Sequence, residues 1–143
     1  MAGAMLRPST LACDDRRVRT LAPDSGAQLL TFTTPGDCST CHTHLAGLDS
    51  LDKLGHLSVQ HVYVSYATRA QRDDARRAYK RVIGQALCWD DSGSLWDILR
   101  IEHTPVTVLV RGGTVLLVHD APLTSDDARQ RLVDTIGTLL GPR

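Results

Sequence analysis

Gln28-Leu29-Leu30-Thr31-Phe32-Thr33-Thr34-Pro35-Gly36-Asp37-Cys38-Ser39-Thr40-Cys41-His42 is the stretch on which the reading of this chain turns. Its first six residues, apolar, aromatic and β-branched, predict a strand, and Pro35-Gly36-Asp37 supplies the chemistry of a turn. From residue 38 to 54 the pattern becomes helical, because Leu45, Leu48, Leu51 and Leu54 recur every three positions and keep one drifting face apolar. Two cysteines three apart in the first turn of a helix lie close enough to form a disulfide. The unpaired N–H groups and positive partial charge at the helix start stabilise the first thiolate. Cys38 is therefore the candidate attacking sulfur and Cys41 the resolving one.

The same residues admit other chemistry. A structural zinc site takes four ligands, usually with a second closely spaced pair, and Cys13 and Cys88 stand far from each other in sequence and from any paired histidines. Metal is accordingly not expected. Cys38-Ser39-Thr40-Cys41-His42 also fits the attachment pattern of a c-type haem. That reading needs a mostly helical chain and usually a downstream axial ligand, whereas Met1 and Met5 lie upstream and the flanking segments look like strands. His44, His56, His61, His103 and His119 remain as alternative axial ligands.

A chain of 143 residues fits one domain and can bury a core without disulfide staples. Sixteen basic residues balance sixteen acidic ones, so no net field draws nucleic acid or an anionic membrane. No nucleic-acid partner is expected. The basic stretch Arg69, Arg72, Arg76, Arg77, Lys80 and Arg81 is interrupted by Asp73 and Asp74 and reads as a solvated helix face. No apolar run approaches the roughly 20 residues that cross a bilayer. Residues Met1 to Ala12 lack the apolar h-region of a signal peptide, which points to the cytoplasm for the chain as it stands. Leu11-Ala12-Cys13 resembles the end of a lipoprotein signal, and the alternative is an extracytoplasmic protein whose signal or anchor lies further upstream.

Outward from the motif, residues 1–25 read as a loosely ordered leader with one edge strand at Val18-Arg19-Thr20-Leu21, and 26–143 as the domain proper. Past Leu57-Ser58-Val59, Val62-Tyr63-Val64-Ser65-Tyr66 is β-rich and nearly uncharged, the pattern of a strand buried on both faces. Ala75, Ala78, Tyr79, Val82 and Ile83 mark the next helix. A short unit at Ala86-Leu87-Cys88-Trp89, a turn at Asp90 to Gly93 and a small helix near Leu95 to Leu99 lead to Thr104-Pro105. Val106 to Val110, Arg111-Gly112-Gly113 and Thr114 to Val118 form a hairpin signal whose glycines allow positive φ. The last helix has Thr124 and Asp127 as a capping box and ends at Gly141-Pro142.

This order of elements, with the CxxC heading a helix and an X-Pro preceding the hairpin, resembles the thioredoxin fold from about residue 18 to 140. The resemblance implies an α/β domain with a central mixed sheet flanked by helices. The extra unit around Cys88 to Leu99, with Asp90-Asp91-Ser92-Gly93-Ser94-Leu95 and Thr104 to Val110, is most similar to the TlpA and ResA branch of thiol-disulfide oxidoreductases. It implies that Cys38 and Cys41 are catalytic and that Pro105 is cis opposite them. The backbone of Thr104 would pair with an extended substrate. The implied partners are a disulfide-containing protein and a thiol electron donor, with no cofactor. Peroxiredoxins share the architecture, but they place Thr or Ser where this chain has Pro35.

Three features depart from thioredoxins: Asp37 replaces the Trp before the first cysteine, Ser39-Thr40 replaces the usual dipeptide, and no carboxylate occupies the proton-relay position on the strand. Asp37 opposes the helix start electrostatically, since a charge about 7 Å away raises the cost of the Cys38 thiolate by ~0.6–2.4 kcal/mol. The helix start favours that thiolate by ~0.3–2 kcal/mol. A moderately acidified thiol and a fairly reducing couple are expected. Trp89 and Trp96 read as core or groove-wall residues, Cys13 as a leader thiol and Cys88 as a small buried apolar residue. The rival reading is a thioredoxin-fold binding module that holds a peptide near Thr104-Pro105.

Overall fold

The computed structural model describes residues 3–21, 26–33, 56–57, 59–65, 69–79, 87–90, 93–121 and 123–141. Within these, the strands are β1 (Ser9–Ala12), β2 (Val18–Leu21), β3 (Ala27–Thr33), β4 (Val59–Ser65), β5 (Leu87–Trp89), β6 (Val106–Arg111) and β7 (Thr114–His119). The helices are α1 (Arg69–Tyr79), α2 (Ser94–Leu99) and α3 (Asp126–Leu140). Five strands form one sheet in the order β5-β4-β3-β6-β7, with β3, β4 and β5 parallel and β6 and β7 antiparallel to their neighbours. The central strands carry the continuous apolar runs, as strands covered on both faces must. Leu29, Leu30, Phe32, Val64, Val108 and Leu109 are completely buried.

Alternation divides those side chains between two cores. Leu30, Phe32, Val62, Val64, Val106, Val108 and Val110 pack with Leu95 and Leu99 of α2 and with Leu6, Cys13 and Leu21 from the start of the chain. Leu29 and Leu109 pack on the opposite face with Leu123 and with Leu132 and Ile136 of α3. The hairpin turns through Gly112 at φ 57° and Gly113 at φ 81°, the mirror-image turn that matches strand twist. Gly113 has a second reason to lack a side chain: a Cβ there would sit 2.7 Å from the Leu6 carbonyl oxygen.

Residues 3–21 differ from the expected leader. They form a belt that touches both edges of the five-stranded sheet. At the β7 edge, Gly3 donates to the Val115 carbonyl at 2.7 Å, Val115 donates to Ala4 at 2.8 Å and Leu6 donates to Gly113 at 2.6 Å. The belt then crosses the face carrying Phe32, where β1 and β2 pair antiparallel and the Gln28 amide donates to the Thr20 carbonyl at 2.8 Å. At the β5 edge, the Asp14 N–H donates to the Leu87 carbonyl at 2.9 Å, and the Leu87 N–H donates to the Asp14 carboxylate at 3.1 Å. There Cys13 and Cys88 form a disulfide. Cys13 is thus not the leader thiol expected from sequence; Cys88 is buried in the apolar core as expected, but as half of a disulfide, and a Cys13 sulfur bonded to Cys88 does not carry a lipid.

The capping box is also corrected by one residue. Ser125, not Thr124, caps α3, its Oγ accepting from the Ala128 N–H at 3.1 Å. Trp89 is buried beneath Arg72 and Arg76, whose guanidinium carbons lie 5.4 and 5.7 Å from its ring centre. Trp96 meets Phe32 edge to face at 4.9 Å.

Candidate active site

Asp37, Cys38 and Cys41 lie outside the described residues, as does the helix expected over 38–54. The frame around them is described. Thr104 and Pro105 stand at the head of β6, with Pro105 buried and the peptide bond between them cis. The β3–β6 register sets Phe32 against Val106, and continuing it one step places Pro105 beside Thr33, the last residue of β3. Thr33 pairs in turn with Ser65 of β4, and Ser65 with Trp89 of β5. One end of the sheet thus gathers Pro105, Thr33, Ser65 and Trp89 in a row.

That row is unusually polar for a buried surface. Thr33 and Ser65 are both fully buried, and among the described residues neither the Thr33 Oγ1 nor the Ser65 Oγ has a hydrogen-bond partner. Buried hydroxyls are ordinarily paired, so two neighbouring orphans are a feature of this end of the sheet. One turn deeper, Thr31 Oγ1 and His61 Nε2 share a buried hydrogen bond of 2.8 Å, and the His61 ring lies 4.2 Å from that of Tyr63. His61 is therefore held by the sheet rather than presented as a ligand. Among the described residues no group of three His, Cys, Asp or Glu side chains is arranged to hold a metal ion.

Asp90 closes the row beyond Trp89. It is buried, its N–H donates to the Ser65 carbonyl at 2.9 Å, and its Oδ2 accepts from the Leu95 and Trp96 N–H groups at 3.0 and 3.2 Å. Burial pushes the Asp90 carboxyl above the usual aspartate range, with the N–H groups of Trp96 and Leu95 pulling against it. The sequence marks Asp90 as a turn residue and gives no sign of this second task. The orphan hydroxyls have a faint signal in hindsight: Thr33 and Ser65 are polar residues closing otherwise apolar runs.

No protein-family model matches the chain, and no curated protein does. Solved structures do. The thioredoxin domain of thiol-disulfide oxidoreductase BVU-2223 from Bacteroides vulgatus superposes with a TM-score of 0.74 at 17% identity, covering 96% of this chain and 99% of that one. StoA from Bacillus subtilis superposes with a TM-score of 0.71 at 20% identity, over 92% of this chain and 97% of its own. The fold is thioredoxin-like. Peroxidoxin BcpB from Mycobacterium tuberculosis matches as well, with a TM-score of 0.73 at 17% identity over 94% of this chain and 95% of that chain. A thioredoxin-like fold is thus shared by proteins of two redox chemistries, and the chemistry of this chain has to be argued from its own residues.

Proposed function

We propose that this chain is a thiol-disulfide oxidoreductase that reduces disulfides in protein substrates through Cys38 and Cys41. The observation that supports it most is the register that sets Pro105 beside Thr33 at the end of β3. Cys38 follows Thr33 by only five residues, and an extended chain spans at most ~3.6 Å per residue, so Cys38 is tethered within ~18 Å of that end. The thioredoxin-like fold and the CxxC spacing act in the same direction.

In the proposed cycle the Cys38 thiolate attacks one sulfur of the substrate disulfide. A bond forms between Cys38 and that sulfur, the substrate bond breaks, and the departing thiolate takes up a proton. The Cys41 thiolate then attacks Cys38, releasing the second substrate thiol and leaving Cys38 and Cys41 oxidised. A thiol donor returns them to the reduced form. Thr104, with its backbone along the substrate, and Pro105 would bind the extended segment flanking the disulfide.

The test uses a disulfide-bonded protein substrate with a reductant, comparing the wild type with Cys38→Ser and Cys41→Ser. A mixed disulfide trapped in Cys41→Ser alone, with turnover lost in both variants, is the expected result. Equal activity in all three proteins would overturn the proposal and leave the binding module, as would a Cys38 that resists alkylation across the pH range. Turnover of peroxide in place of the disulfide would make it a peroxidase.

A further inference from the structure

We propose that Cys13–Cys88 is a permanent structural clasp, chemically separate from Cys38 and Cys41, which locks the N-terminal belt across the sheet and is made where thiols are oxidised. Three observations meet here. The belt is fixed at the β7 edge by hydrogen bonds from Gly3, to Ala4 and from Leu6. At the other end Asp14 and Leu87 exchange two hydrogen bonds, and the disulfide lies directly beside them. Leu6 at the first anchor and Leu21 beyond the second belong to the core that contains Phe32 and Val64. The covalent bond thus closes a strap already fitted to the surface it crosses.

Burial sets the chemistry of the pair. Cys13 is 6% exposed and Cys88 1% exposed. Thiol-disulfide exchange needs an attacking thiolate in line with the sulfur–sulfur bond, and access governs its rate as much as potential does. A disulfide whose two cysteines are buried members of the same core as Leu6, Leu21 and Leu95 offers an external thiol little approach without opening the belt. An exchanging couple needs the opposite exposure. The clasp forms during folding by oxidation of both thiols: each loses a proton, the pair gives up two electrons, and a disulfide-bearing oxidant is reduced to two thiols. Such bonds persist in oxidising compartments and are rare in the cytosol. The cytoplasmic reading of the sequence therefore gives way here to an extracytoplasmic one.

The proposal stands whether or not Cys38 and Cys41 exchange disulfides, and the Cys38→Ser/Cys41→Ser protein isolates it. Produced in an oxidising compartment and digested without reduction, it should yield a single linked pair of peptides containing Cys13 and Cys88. In millimolar glutathione the folded protein should be alkylated at these cysteines at least a hundredfold more slowly than after unfolding. Hydrogen exchange gives a separate reading on Cys13→Ser/Cys88→Ser in the otherwise wild-type chain. Amides of residues 9–21 should exchange at least tenfold faster than in the parent, with those of α3 much less affected. Absence of the linked peptides, labelling of the folded protein within a few fold of the unfolded rate, or unchanged exchange over residues 9–21 would overturn it. If the double-serine chain fails to fold, the peptide and labelling results still decide.

Discussion

Thr33 and Ser65 bury two hydroxyls that find no hydrogen-bond partner among the described residues, and the cost of such a group is the water it gave up, ~1–3 kcal/mol each. Thr33→Val keeps the shape and β-branching while removing the orphan oxygen. It should raise stability by about 1 kcal/mol in urea unfolding; a loss would mean that the hydroxyl serves a partner after all. The hydroxyl was visible in the sequence, but its isolation was not, because isolation depends on what lies across two neighbouring strands. Asp37 presents the reverse situation, since its argument needs only its place beside Cys38. Asp37→Asn removes a negative charge from the thiolate's surroundings, so the Cys38 pKa should fall and the couple become more oxidising. Titration of thiolate absorbance checks this, and a rise or no change would remove Asp37 as the opposing charge.

Among the elements, α2 depends on a residue outside itself. Its first N–H groups are taken by Asp90, four residues before Ser94, so strand β5 and helix α2 are joined through one carboxylate. Asp90→Ala would leave buried N–H groups unpaired and cost ~1–3 kcal/mol. Asp90→Asn keeps an oxygen acceptor and cannot ionise, which makes it the informative variant. Because burial raises the Asp90 pKa above the ordinary 3.8, the acid form is the one folding favours over the unfolded chain. That contribution is complete below the ordinary value and is lost as pH rises through the raised one. The stability of Asp90→Asn relative to the wild type should accordingly increase in denaturant titrations as pH rises above the ordinary aspartate value. A difference independent of pH, or one moving the other way, would contradict the assignment. The elements themselves were largely legible: apolar runs marked β3, β4 and β6, and paired glycines marked the turn to β7. The cap of α3 was misplaced from Ser125 to Thr124 because adjacent hydroxyl residues look alike to a spacing rule.

At the scale of the molecule, the sequence showed the thioredoxin-like order of elements but missed the belt. Strand order follows from local periodicity and short connections, whereas the belt is defined by contacts between residues 3–21 and the far edges of the sheet, and polar, charged segments such as Asp14-Asp15-Arg16-Arg17 carry no periodic signal. Four cysteines with one pair assigned left Cys13 and Cys88 over, yet spacing alone does not pair residues 75 apart. That same separation sets the worth of the bond, since confining so long a loop in the unfolded chain is worth about 4 kcal/mol. Cys13→Ser/Cys88→Ser should lower Tm by roughly 8–16 °C, read by calorimetry; an unchanged Tm would deny the bond a part in stability. The disulfide also closes the backbone into a covalent ring, and Cys38 and Cys41 lie on its circumference. A protease that cuts once anywhere between Asp14 and Leu87 therefore opens the ring without dividing the molecule. The nicked protein would run as one species on a denaturing gel until reductant is added, and then as two.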